Sequence, residues 1–175
     1  MNEAHLHLIL THGPIGGILF GTLVLVYALW RRSALLVRVS MVTFVVTFAL
    51  ALSLYFTGEA AEEVIEDLPN VSEALIETHE AAAIWAIVGA GVLALVSLGG
   101  LLGYRRELPR WLGSMLLVLA LVTGGLIGWV ANLGGKISHP EVRYDRPVAP
   151  GEEEGEVEEA ERLDFGKGAR SVAGE

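Results

Sequence analysis

The sequence predicts an all-α fold: an integral-membrane four-helix bundle with an acidic outer loop and a disordered C-terminal tail. Two observations carry that prediction. Four stretches, Gly13 to Trp30, Val39 to Phe56, Ala81 to Tyr104 and Trp111 to Gly135, contain no Asp, Glu, Lys, Arg or His. At about 1.5 Å per residue even the shorter ones reach roughly 27 Å, close to the hydrocarbon thickness of a bilayer. Only helices satisfy all their own backbone groups at that length in lipid. The second observation is the charge between the stretches, which is basic at two junctions and acidic at the third. With 175 residues, 53% of them hydrophobic, and a mean hydropathy of +0.52, the chain has room for one such domain and little else.

The first span is expected over about residues 12–31. Met1-Asn2-Glu3-Ala4 lacks the basic start of a cleavable signal, so this helix should stay. Pro14 either begins it or bends it, and Gly13, Gly17 and Gly21 recur every four residues, giving it a flat face for close approach to helix three. The second span covers about residues 35–56. Residues 57–78 form the outer loop, with Glu59, Glu62, Glu63, Glu66, Asp67, Glu73 and Glu77 and no Lys or Arg. Within it Ala61, Val64, Ile65 and Leu68 fall at helical spacing, which predicts a short amphipathic helix from Glu59 to Asp67 on the bundle or the lipid surface. Leu68-Pro69-Asn70 should break it. Asn70 and Glu73 have the spacing of a capping box that would start the third helix in water, ahead of its span at about 79–104. The fourth span is about 110–134. Residues 141–175, with Pro147, Pro150 and the run Glu152-Glu153-Glu154, read as a disordered acidic tail.

Arginines orient the bundle. Arg31, Arg32 and Arg38 join helices one and two, and Arg105, Arg106 and Arg110 join helices three and four, so both junctions belong in the cytoplasm. Both termini and the acidic loop then lie outside. Trp30, Tyr104 and Trp111 fall at the inner interface and Tyr55, Trp85 and Trp129 near the outer one, as anchoring belts do. The formal net charge of −9 argues against nucleic acid as a partner. The chain has no Cys, which excludes disulfides, thiolate metal ligands and covalently attached haem.

All five histidines, His5, His7, His12, His79 and His139, fall on the outer side. His79 continues the stripe Leu75, Ile76, Ala82, Ala83, Ala86, with Glu73, Glu77 and Glu80 mostly around the other side, so it should face the protein interior. The small residues below it suit either close helix packing or a slot for a flat ligand. His12 stands directly before Gly13-Pro14. On helix four Gly124, Gly128 and Asn132 share a face, followed by Gly134-Gly135 and His139. These helix ends are expected to converge above the bundle interior, where bundles hold cofactors and metals. His5 and His7 are read as exposed residues near a chain terminus.

These motifs, His12 with Pro14, Thr57-Gly58, His79, Gly128-Trp129, Gly134-Gly135 and His139, resemble a bacterial integral-membrane family, a domain of unknown function of the 2231 type. The resemblance covers roughly the first 140 residues. It implies that His12, His79 and His139 belong together, and it implies a bacterial inner membrane. The architecture is also similar to small four-helix b-type cytochromes, which hold haem between histidines of neighbouring helices. Two-haem members of that group need ligands near both membrane faces, whereas this chain offers them on one.

The leading expectation is therefore a membrane electron-transfer protein with one non-covalent haem b near the outer face, bound by two of His12, His79 and His139. Quinol or an external cytochrome would be its redox partner. One alternative is a copper, zinc or iron site built from His12, His79 and His139 with Glu80, Glu59 or Glu62. Another is a non-catalytic subunit or assembly factor packed against other membrane subunits. A redox carrier or accessory subunit fits better than a stand-alone enzyme: no Ser-His-Asp set can be assigned to one aqueous face, and the spans lack the ionisable residues of a transport pathway.

The orientation is tested by single cysteines in intact cells: an impermeant thiol reagent should label Ser72→Cys and leave Ser33→Cys untouched. The opposite pattern would invert the topology.

Overall fold

The computed structural model describes residues 3–65, 72–104 and 108–139, which form four helices: α1 (Glu3–Arg31), α2 (Ala34–Ile65), α3 (Glu73–Gly103) and α4 (Arg110–Ser138). Each is long and apolar enough to cross a membrane. α1 packs on α2, α2 on α3, α3 on α4, and α4 returns to α1, so α1 and α3 stand diagonally across a closed ring. One end of the ring carries Arg31, Arg32, Arg38 and Arg110 and is called the arginine end; the other carries the five histidines. The acidic tail from 141 onward and the Asn70 capping position lie outside the described residues.

Each helix turns one stripe inward at alternating spacings of three and four residues. On α1 it runs Thr11, Pro14, Ile18, Gly21, Leu25, Ala28, and on α3 Ile76, His79, Ala83, Ala86, Ala90, Leu93, Ser97, Gly100, all buried or half-buried. Such spacing favours the shallow crossing angle of long bundles. Large apolar side chains also cover the outside: Trp30, Leu35, Phe56 and Leu95 are each at least 70% exposed. A helix apolar on all sides needs an apolar solvent on the side that protein does not cover.

Buried hydroxyls obey the same requirement. Ser40, Thr47 and Ser97 donate to the carbonyls of Leu36, Thr43 and Leu93, each four residues back on its own helix, at 3.1, 2.8 and 2.7 Å. No buried side-chain nitrogen or oxygen among the described residues lacks a partner.

The helices differ from the sequence expectation mainly at their ends. α1 starts at Glu3, nine residues before the expected span, and keeps Pro14 within it. α2 runs through Thr57-Gly58 to Ile65 without a break, so residues 59–65 of the amphipathic segment expected on the surface are the last part of a membrane helix, and its residues 66 and 67 lie outside the described ones. Its apolar positions, Leu54, Gly58 and buried Ala61, extend the inward stripe of α2, and packing on that stripe holds the segment in line. Ser72 takes the N-cap of α3, its backbone carbonyl accepting from the N–H groups of Leu75 and Ile76 at 3.0 and 3.1 Å with no side-chain cap.

At the arginine end α1 and α2 join through a two-residue turn. Arg32 has φ 53°, the N–H of Ser33 donates to Ala28 at 2.9 Å, and that of Arg32 donates to Leu29 at 3.3 Å, a Schellman closure. Ser33 Oγ then accepts from the N–H of Leu36 at 3.4 Å and caps α2. Arg38 donates to the carbonyl of Tyr104 at 2.6 Å, setting a cation at the negative end of α3.

Glycines set how closely the helices approach. A Cβ at Gly17 would collide with Thr47 Oγ1, one at Gly21 would lie 2.6 Å from Phe44 Cε1, and one at Gly13 3.2 Å from Leu50 Cδ1. The flat face of α1 is thus spent on α2, its neighbour, and not on the diagonal helix α3. Gly21→Leu is expected to destabilise the bundle by about 1–3 kcal/mol, the usual cost of overpacking. Gly16→Leu, whose Cβ meets nothing within 4 Å, is the control and should be close to neutral. Equilibrium unfolding in detergent compares the two.

Candidate functional site

The histidine end is assembled by the inward stripes. On α1, counting back in threes and fours from Ala28 through Leu25, Gly21, Ile18, Pro14 and Thr11 arrives at His7, which is half-buried; His12, five residues further on, is exposed. On α3 the stripe carries His79 inward, as its setting among Ile76, Ala82 and Ala86 requires. On α2 it passes Gly58, and on α4 Val130 and Gly134. One layer of the bundle therefore receives a side chain or a glycine from every helix.

Within that layer His7 on α1 and His79 on α3 are both half-buried. Each ring is also tied to a neighbouring helix. His79 Nδ1 lies 3.2 Å from the carbonyl of Val130, which can only accept, so Nδ1 carries the hydrogen and Nε2 the lone pair. His7 Nδ1 lies 3.1 Å from Thr57 Oγ1, whose own hydroxyl donates to the carbonyl of Leu54 at 2.9 Å. Gly134 makes room for His79, since a Cβ there would lie 3.2 Å from Cε1 and 3.6 Å from Nδ1. Gly58 borders His7 with its virtual Cβ 3.8 Å from Cε1, an ordinary contact.

The other sequence candidates lie elsewhere. His12 donates from Nδ1 to the carbonyl of Leu8 at 3.1 Å, a bond within its own helix on the outward face. His139 is the exposed C-cap of α4, its backbone N–H donating to Gly135 at 2.9 Å. His5 is exposed, and so are Gly128 and Asn132, which turn away from the interior where they were expected to converge. Glu80 stands beside Glu62 across α2 and α3, with Glu59 nearby. Among the described residues no group of three or more His, Asp or Glu side chains is arranged to hold a metal ion, and the set His12, His79, His139 and Glu80 does not form one.

Sequence reasoning missed His7. The signal was present, because His7, Pro14, Gly21 and Ala28 recur every seven residues, but it is readable only if α1 begins well before Pro14. Beginning the span at about residue 12 left Thr11 and His7 off the stripe.

The small residues under His79 serve helix contact. Ala82, Ala86 and Ala90 are buried at 0, 7 and 2% exposure, and Gly91 lies against Phe48 of α2. The arrangement thus offers two imidazoles from diagonal helices, held by opposite neighbours, in an otherwise tightly packed and apolar layer. Comparison of the chain with family models, with curated proteins and with solved structures found no match.

Proposed function

We propose that the chain is a membrane electron-transfer protein that binds a single non-covalent haem b at its histidine end, where His79 and His7 would hold it. The observation that carries this reading is the pair itself: two half-buried imidazoles on the inward stripes of α1 and α3, each with Nδ1 engaged by an oxygen. Ligating histidines ordinarily have the second ring nitrogen held in this way.

The number of donors separates haem from a bare ion. Zinc, copper(II) or iron(II) bound by protein alone needs three or four protein ligands, and no such group occurs among the described residues. Haem brings four equatorial nitrogens of its own and asks the protein for two. The donor set of this layer fits that requirement. When bound, haem would supply one-electron exchange, with a potential tuned by burial and by the hydrogen bonds to the ligating rings. The chain's own part is to orient the two imidazoles and to keep the layer apolar.

In this reading the histidine end faces the outside of a bacterial inner membrane, with both termini on that side, because the six arginines of the two short junctions favour the cytoplasm. The redox partner would be quinol or an external cytochrome. The likeness to the 2231-type membrane domain belongs to the same proposal, with His79 retained from its motif and His7 taking the place of His12.

A second reading, an accessory subunit of a membrane complex, is favoured by the packing of Gly134 on His79 and by the buried alanines of α3, which fill the helix contact without a ligand.

Spectra of the detergent-purified protein with and without dithionite, together with elemental analysis, test the proposal. Reducible Soret and α bands are expected, lost in both His79→Ala and His7→Ala and unchanged in His12→Ala. Loss in His12→Ala with retention in His7→Ala would overturn the assignment of ligands. Absence of both bands and metal would favour the accessory subunit.

A further inference from the structure

We propose that Thr57 is a positioning residue that locks His7 in the tautomer with hydrogen on Nδ1, so that Nε2 is the nitrogen presented to a ligand. The value of this lock to a ligand rests on the haem reading above, while the lock itself does not. Thr57 Oγ1 has one hydrogen and two lone pairs, and lies 2.9 Å from the carbonyl of Leu54 and 3.1 Å from His7 Nδ1. The Leu54 carbonyl can only accept. With the hydroxyl proton directed to it, Thr57 faces His7 as an acceptor and the imidazole must donate. A neutral imidazole has one N–H, so Nε2 is left with its lone pair.

The two histidines reach the same state by different means. At His79 the acceptor is the backbone carbonyl of Val130, which admits one tautomer only. At His7 the acceptor is a hydroxyl, which can in principle turn and donate; its bond to Leu54, one turn back on α2, holds it the other way. The acceptor facing His7 Nδ1 is thus a side chain fifty positions away in sequence on the neighbouring helix, whose backbone also hydrogen-bonds the His7 ring. Thr57 adjoins Gly58, whose lack of a side chain leaves the His7 ring only an ordinary contact at that point.

The measurement is nitrogen NMR of the full chain, labelled with 15N at histidine, in detergent at about pH 8, where an ordinary imidazole is neutral. The His7 signals are assigned by their loss in His7→Gln. The wild type and Thr57→Ser should show hydrogen on Nδ1 of His7. Thr57→Val, which keeps the shape and removes the acceptor, should move it to Nε2. Titration with haemin, followed by dithionite reduction, should be about tenfold weaker in Thr57→Val, the usual effect of one lost hydrogen bond, and unchanged in Thr57→Ser. Should Thr57→Val fail to fold, Thr57→Ala gives the same reading.

Hydrogen on Nδ1 of His7 in Thr57→Val, or on Nε2 in the wild type, would overturn the proposal. If the wild type takes up no haemin, the haem reading falls, and the nitrogen spectra still decide the role of Thr57.

Discussion

Inside a bilayer there is no water to complete a hydrogen bond, and every N–H and O–H in the bundle has to find its acceptor in the protein. That constraint runs from the backbone to the candidate site. It makes the spans helical, turns Ser40, Thr47 and Ser97 back onto carbonyls of their own helices, and ties His79 to Val130 and His7 to Thr57. The tautomers of the two inward histidines are thus a consequence of the same rule that makes the helices. A ring nitrogen that must be satisfied by protein leaves its partner nitrogen defined as well.

Close packing decides where those histidines stand. Hydrophobic transfer contributes little between helices that are surrounded by lipid, so association depends on van der Waals contact between surfaces that fit. The fit here is made from glycines and alanines opposite large side chains: Gly21 against Phe44, Gly100 against Met41, Gly113 against Leu29. Each of these pairs joins neighbours in the ring. The diagonal helices α1 and α3 have no comparable glycine contact, and at the histidine end each turns a half-buried imidazole, His7 or His79, inward.

Charge divides the two ends. The arginine end combines Arg31, Arg32 and Arg38 with a tight Schellman turn and the bond from Arg38 to Tyr104. At the other end α2 and α3 carry Glu59, Glu62, Glu63, Glu73, Glu77 and Glu80, with Glu62 and Glu80 beside each other across the helix pair. The imidazole layer sits beside this acidic surface, with Nδ1 of its two rings directed to a hydroxyl and a backbone carbonyl.

Much of this protein was legible in the residue order. The absence of charge over four stretches determined the number of helices, and the stripe around His79 determined that this residue turns inward, because both depend only on local composition and on the helical period. The amino-acid order also held the seven-residue recurrence of His7, Pro14, Gly21 and Ala28, although its meaning depended on where α1 begins. The tertiary structure alone decided the partners. Whether the glycine face of α1 meets α2 or α3, whether α2 continues past Gly58, and which histidine approaches His79 are questions of packing between segments distant in sequence. Periodicity gives the direction of a side chain about its own helix axis and carries no information about which helix lies on that side. The pairing of His7 with Thr57 and of His79 with Val130 follows from the ring order of the four helices, and that order is set by the sum of their contacts.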